Sequence, residues 1–317
     1  MKIVKPSAKI LKHNVPPYEF IERVGRTCYK SEDKITEGSA EKFVKSLVKS
    51  KHLAMLEHET IYLVTTEEFM MEFLEEATEC GEFLKFFNVT IDGESVLSGS
   101  FRSFYEFFEK RYIGFTIEHI KTLLRESYPL IFGEFEQFSY LFKNYGQNAC
   151  KIYAREDFIS EFIDSPWVLE KHLTHTVLIV CDRGVSHEFV RHRPCSFAQE
   201  STRYCNYSKD KFGNEITVID PFFLKGEAYE LWLNNCEYSE KIYFDLLSKG
   251  ATPQEARTVL PNSLKTELII TATEEEWQHI VDLRYKGTTG TPHPQMREVM
   301  DSVVYDLYKE SGDRIDY

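Results

Sequence analysis

Three observations predict a chain that mixes strands and helices. Three short runs rich in β-branched residues read as strands: Thr60 to Thr65, Thr174 to Cys181 and Leu268 to Ala272. Apolar residues at helical spacing recur between and after them. No G-x-G-x-x-G or G-x-x-x-x-G-K loop is present, so no phosphate-binding strand–helix unit is visible, and an anionic ligand has to be held by side chains.

The elements follow in order. Residues 1–30 read as a short strand and then a helix. Pro16-Pro17 breaks the chain, and Tyr18 to Val24 forms an amphipathic turn or two that ends at Gly25 to Tyr29. Ser39 to Lys51 is a second helix, with Phe43, Leu47 and Val48 on one face. Residues 66–171 carry aromatic stripes, as in Phe101, Phe104, Tyr105 and Phe108, and in Phe132, Phe135, Phe138 and Leu141. Such stripes are helix-packing faces, and the segment reads as mostly helical, with a turn at Asn88 to Gly93. After the strand at 174–181, Val185 to His192 reads as a short helix with Ser186 near its N-cap. Pro194 disfavours a helical Arg193, so the helix is expected to stop there. Residues 226–248 are helical. Thr252-Pro253-Gln254-Glu255 and Thr273-Glu274-Glu275-Glu276 are two capping boxes that open further helices. The first helix carries Arg257 and stops at Pro261; the second runs through Trp277 to Arg284. Pro294 to Tyr308 is the last helix.

The chain has 317 residues, 42% of them hydrophobic, enough for one large domain or two smaller ones. The formal net charge of -13 argues against a broad nucleic-acid or membrane-surface footprint. The seven cysteines form no C-x-x-C pair and fit reduced thiols. Met1 to Pro6 lacks the apolar core of a signal peptide, and no apolar run is long enough to span a membrane. A cytoplasmic protein is expected, with neither nucleic acid nor membrane as a partner.

Against this acidic background, Arg191-His192-Arg193 and Arg203 crowd into 13 residues around a helix end. Guanidinium groups grip phosphate and carboxylate in a bidentate way, so an anion is the expected ligand. His187-Glu188 is a near-miss to H-E-x-x-H: the second histidine, His192, falls at i+5 and leaves the shared helix face, so no metal site is expected. Ser201 lacks the G-x-S-x-G elbow of a nucleophile. Cys195 and Cys205 lie near arginines but read as packing thiols.

Arg191-His192-Arg193, seven residues, then Ser201 resembles the R-H-R-x7-S signature of the flavin-dependent thymidylate synthase family. The likeness continues through Gln199, Arg203 and Tyr204, and upstream through Asp182 to Glu188. Early blocks (Gly25 to Tyr29; His52 with Glu57-His58) and late blocks (Ala256 to Pro261; Trp277 to Arg284) follow in the family's order.

The resemblance implies an α+β fold, a mixed or antiparallel sheet flanked by long helices. It implies one synthase domain over residues 1–317, with a helical insertion at about 66–171, and a homotetramer whose active sites form between subunits. The implied activity converts dUMP to dTMP with methylenetetrahydrofolate as one-carbon donor, FAD as redox cofactor and NADPH as reductant. Arg284 is implied as the catalytic residue, set against the pyrimidine where charge develops. Contacts to dUMP are implied for Glu188, Phe189, Val190, Arg191, Gln199, Glu200, Ser201, Thr202, Arg203, Arg257 and Arg284. Contacts to FAD are implied for His52, Ala54, Arg191, His192, Arg193, Gln199, Thr273, Glu274, Glu275 and His279. His192, between two arginines, is expected to be neutral. Thr273 stands where the family often has Asn, and Ala54 where it often has a hydroxyl. Two rival readings remain: a flavoprotein of this fold without synthase activity, and a nucleic-acid binder that uses the Arg191–Arg203 cluster with Phe197 and Tyr204 as stacking rings.

Overall fold

The computed structural model describes residues 1–81, 87–138, 145–146, 148–203, 205–209 and 212–316, so Leu141 and Tyr204 lie outside the described residues. They divide into two compact units. One comprises Met1–Lys12, Arg23–Lys34 and His175–Tyr317; the other comprises His13–Glu22 and Ile35–Thr174. The described strands are β1 (Lys2–Val4), β2 (Ser7–Ile10), β3 (Thr60–Thr66), β4 (Phe87–Thr90), β5 (Glu94–Ser100), β6 (Cys150–Tyr153), β7 (Thr174–Asp182), β8 (Ser196–Gln199), β9 (Thr217–Ile219) and β10 (Lys265–Thr273).

The first unit is built on a sheet of order β2-β7-β10-β8, with β2 antiparallel to β7 and β8 antiparallel to β10. A parallel β1–β9 pair accompanies it, so the strand pairing is mixed, within an α+β fold. Alternate residues Val177, Ile179 and Cys181 of β7, and Leu268, Ile270 and Ala272 of β10, are buried in one apolar cluster, as the period-2 geometry of strands requires. Helix Glu274–Val281 contributes Trp277, Ile280 and Val281 to that cluster. Helix Pro294–Ser311 contributes Met296, Val299, Met300, Val303, Val304 and Leu307, spaced three and four apart. Each such side chain gains about 1.5–3 kcal/mol on burial. The Trp277 indole also donates to the carbonyl of His175 at 3.0 Å, fixing the helix against β7. The longest described helix, Glu227–Ser248, buries Cys236 and Tyr243 in a separate cluster with Ile216, Val218 and Leu264.

The second unit has an antiparallel sheet of order β4-β5-β3-β6. The expected insertion at about 66–171 lies within this unit; helices dominate it, and β4, β5 and β6 run through it. The turn expected at Asn88 to Gly93 is tighter than that, because Asn88–Thr90 belong to β4 and Gly93, at φ 69°, closes the reversal into β5. Helix Phe101–Glu109 buries Phe101, Phe104, Tyr105 and Phe108 as the stripe implied. The 132–138 stripe is not one helix: the short helix Pro129–Phe132 ends at Phe132, and Phe135, in the loop after it, meets the same ring-rich core.

Other boundaries moved for local reasons. The first helix runs Pro17–Tyr29, through Gly25, because Phe20, Ile21, Val24 and Cys28 hold one buried face beyond the glycine. Among the described residues no helix is long and apolar enough to cross a membrane.

Candidate functional site

The Arg/His cluster is positioned by β7. Its last residue, Asp182, turns its carboxylate back to accept from the backbone N–H of Val185 at 2.7 Å and so caps helix Arg183–Phe189. Ser186, expected as the cap, lies inside the helix: its hydroxyl donates to the Arg183 carbonyl and accepts from Gln199 Nε2 at 2.9 Å. The helix ends at Phe189 instead of continuing to His192. Residues 190–195 form a connection with a cis Arg193–Pro194 peptide that feeds β8. In β8, Gln199 pairs with Leu268 of β10, and its amide also donates to Thr266.

Arg284 sits at the centre of the most organised polar group. It lies on a single π turn, Asp282–Lys286, that follows helix Glu274–Val281, where an α-helical continuation was expected. Its Nη1 donates to Glu188 Oε2 at 2.8 Å, its Nη2 to the Glu188 carbonyl at 3.3 Å, and its Nε to His192 Nε2 at 3.1 Å. A ring nitrogen that accepts carries no proton, so His192 is neutral with its proton on Nδ1. Burial, then the nearby Arg284 and His279, push its pKa down to about 4. Its neutrality was expected from Arg191 and Arg193, but both of those side chains are exposed. Arg193 folds back to donate to the carbonyls of Val190 and His192, and lies over the Phe197 ring at 5.5 Å.

His279 joins the group edge-on, with its ring centroid 5.9 Å from that of His192. Glu276 joins from one helical turn earlier. Its backbone N–H caps onto Thr273 Oγ1, as the capping box predicts. Its carboxylate does not complete the box; it accepts from the Cys195 thiol at 3.8 Å, and burial raises its pKa to about 7. By contrast, Glu255 completes the other box by accepting from Thr252 N. Nothing in the sequence reading singled out Glu276 as a site residue. The available signal was spacing, His192-x-x-Cys195 set against Glu276-x-x-His279.

The implied phosphate contacts form a second group. Arg257 Nη1 donates to Thr202 Oγ1 at 3.2 Å, and Ser201 Oγ accepts from the backbone N–H of Arg203 at 3.4 Å. Ser201 N in turn donates to the Cys28 carbonyl, which ties the loop to the early Gly25–Tyr29 block. Arg203 and Arg257 are both exposed.

Several expected contacts point elsewhere. Phe189 is fully buried in the sheet–helix core, and Val190 packs against it. Glu200 is 4% exposed and binds Lys265 Nζ at 3.0 Å, on the wall of a cleft of about 630 Å³ that also includes Lys30, Tyr207 and Glu267. Burial works against the Lys265 charge, but Glu200 and Glu267 outweigh it and raise its pKa. Glu274 is completely buried and serves His175 and Arg314, so its carboxylate faces no ligand. Thr273 is the helix cap, and Glu275, exposed in the first turn, adds negative charge to an end that already holds two other carboxylates. A pyrophosphate at this helix N-terminus would meet that charge. Cys195 and Cys205 behave as packing thiols; burial raises the Cys195 pKa, and Cys205 is 1% exposed. His52 and Ala54 belong to the second unit. Both are exposed at the start of the 3-10 turn Leu53–His58, and the His52 side chain makes no cap.

Comparison with known proteins bears on these residues. A family model described as thymidylate synthase complementing protein matches residues 138–310. The flavin-dependent thymidylate synthase of Pyrococcus furiosus is 30% identical over 115 residues, 36% of this chain and 47% of that protein. That of Geobacter sulfurreducens is 31% identical over 103 residues, 32% of this chain and 43% of that protein. The chain thus spans about half the length of the curated relatives it matches. Among solved structures, the UMP/dUMP methylase PolB from Streptomyces cacaoi, bound with 5-Br dUMP, aligns over 98% of this chain and 93% of its own. The identity is 13% and the TM-score 0.40, too loose a superposition to carry an argument. The family match takes in the Asp182–Glu188 block, the R-H-R-x7-S segment, Arg257 and the Arg284 turn, more than half of the chain, and by that match the chain belongs to the thymidylate synthase complementing protein family of flavin-dependent thymidylate synthases.

Proposed function

We propose that the protein converts dUMP to dTMP, with methylenetetrahydrofolate as one-carbon donor, FAD as redox cofactor and NADPH as reductant. The observation that carries this reading is Arg284, held by Glu188 and His192 inside the matched family region. Uracil C5 becomes nucleophilic as negative charge builds on the ring. A guanidinium already fixed in place stabilises that charge without reorganising when it appears. Glu188 sets the plane of the fork and His192 sets its Nε edge, while the Arg284 side chain stays 23% exposed, open to a ligand. Arg203 and Arg257 supply exposed cations for the dUMP phosphate, with Ser201 and Thr202 beside them as hydrogen-bonding hydroxyls.

The donor set fits an anionic flavin in part. Arg191 and Arg193 present adjacent exposed guanidinium groups, and His279 an exposed imidazole. The glutamate-rich turn at 274–276 does not suit the pyrophosphate. Arg191, Arg193, His192 and His279 are therefore the residues that would hold FAD. FAD supplies the redox chemistry when bound; the chain's residues bind, orient and neutralise charge. A homotetramer with active sites between subunits belongs to the same reading.

An anaerobic turnover assay with dUMP, methylenetetrahydrofolate, FAD and NADPH, scored for dTMP, tests the proposal. Product that requires all four supports it. Flavin uptake without dTMP would leave a flavoprotein that lacks synthase activity, and a chain that takes up neither FAD nor dUMP would remove the reading altogether.

A further inference from the structure

We propose that His192, Glu276 and His279 form a site for one divalent transition-metal ion of the zinc class. The ligand atoms of the three side chains all lie within 4.8 Å of one another. They come from two elements with matched spacing: His192 opens H-x-x-C with Cys195, and Glu276 opens E-x-x-H with His279. On helix Glu274–Val281 an i,i+3 pair shares a face, so the carboxylate and imidazole reach the same point. Metal–ligand bonds of about 2.0–2.2 Å bring ligand atoms to about 3.4 Å apart, a closure that rotation of the exposed His279 ring allows.

A further observation points to a cation here. Glu276 is 9% exposed, and among the described residues its carboxylate's one hydrogen-bond partner is the Cys195 thiol. A buried carboxylate with no cation beside it is costly, and a metal ion removes that cost. Two imidazole nitrogens and a carboxylate make a donor set suited to zinc, with the remaining position open to water.

The geometry also couples this site to Arg284. A neutral imidazole has one ring-nitrogen lone pair, and in His192 the Arg284 Nε–H now occupies it. A metal ion that takes His192 must release that hydrogen bond, so metal and Arg284 compete for the same ring. The site stands apart from the synthase reading. Because His192 and His279 are also the proposed flavin contacts, it belongs to the flavin-free chain.

The full chain, freed of flavin and metal by chelator and dialysis, is titrated with zinc chloride alone by calorimetry. One zinc per chain is expected. Glu276→Gln and His279→Ala should each weaken binding at least tenfold, with unchanged circular dichroism. Arg284→Gln should tighten it, because the competing donor and its positive charge are gone. Cobalt substitution should give visible ligand-field absorption that His279→Ala removes. Absence of stoichiometric uptake overturns the proposal. So does zinc affinity that is unchanged in both Glu276→Gln and His279→Ala, which would place the ion on other thiols or histidines. Neither outcome depends on dTMP formation.

Discussion

Removing Arg314 should leave the Glu274 carboxylate stranded in the first unit's core. Glu274 is 0% exposed. It accepts from Arg314 Nε at 2.7 Å and Nη2 at 2.9 Å, and its Oε1 lies 2.7 Å from His175 Nε2. Breaking a buried pair by deleting one partner costs about 3–5 kcal/mol. The Arg314 side chain is 18% exposed, so water softens the loss and Arg314→Ala is expected near the lower end, about 3 kcal/mol. Glu274→Gln keeps the shape but turns an amide N–H₂ toward donors, for about 2–3 kcal/mol. The double variant should lose less than the sum, with a coupling of about 2 kcal/mol. Against a total stability of about 5–15 kcal/mol, either variant still folds. Urea unfolding followed by tryptophan emission measures this, because fully buried Trp277 bonds the His175 carbonyl beside the cluster. The pH dependence adds a second arm. Burial pushes the Glu274 pKa up, but hydrogen bonds and charge from His175 and Arg314 more than reverse this and hold it below the ordinary 4.5. Its stabilisation is therefore full above that value and lost as pH falls through the depressed one, so the Arg314→Ala deficit should shrink in acid. A coupling below about 0.5 kcal/mol would refute the reasoning and return Glu274 to the pool of ligand contacts.

Arg284→Lys keeps the charge but loses the Nε–H bond to His192 and the planar fork on Glu188; dTMP formation should fall by about 10²–10³-fold, and an unchanged single-turnover rate would remove Arg284 from its role. Thr273→Ala should cost about 1 kcal/mol through the lost cap on Glu276 N, with little effect on flavin affinity; a large change in that affinity with no change in stability would mark Thr273 as a cofactor contact. In the second unit, His172 lies between Ser98 and Thr90 at 2.8 and 2.9 Å, and burial lowers its pKa from the ordinary 6.5 to about 3. The unfolded chain takes up that proton first, so stability should fall below pH 6.5 by up to about 1.4 kcal/mol per pH unit until about pH 3, and His172→Gln should flatten that slope in urea midpoints.

Much of the architecture was legible because it follows local rules. The β3, β7 and β10 runs are β-branched and bounded by turns, and helix Glu227–Ser248 matched its predicted span almost to the residue. Boundaries set by long-range packing were not legible. Gly25 reads as a stop in isolation, yet the buried face from Phe20 to Cys28 carries the helix past it. Strands β4 to β6 were hidden in the aromatic-rich stretch, because short apolar runs satisfy strand and helix patterns alike until a neighbouring strand supplies hydrogen bonds.

The same division holds at the site. Sequence alone determined the inventory, since the R-H-R-x7-S spacing and the ordered flanking blocks are covalent facts that need no fold to be read, and they carried the family assignment. Tertiary structure decided which of these groups meet. It paired Arg284 with Glu188 and His192, from positions about 90 residues apart. It turned Glu200 toward Lys265 and buried Glu274 between His175 and Arg314, although the resemblance had placed both at ligands. It also set Glu276 and His279 against His192. Such meetings depend on helix phase and strand register, and an extra π turn or a helix that ends three residues early redirects a side chain without changing a letter of the sequence.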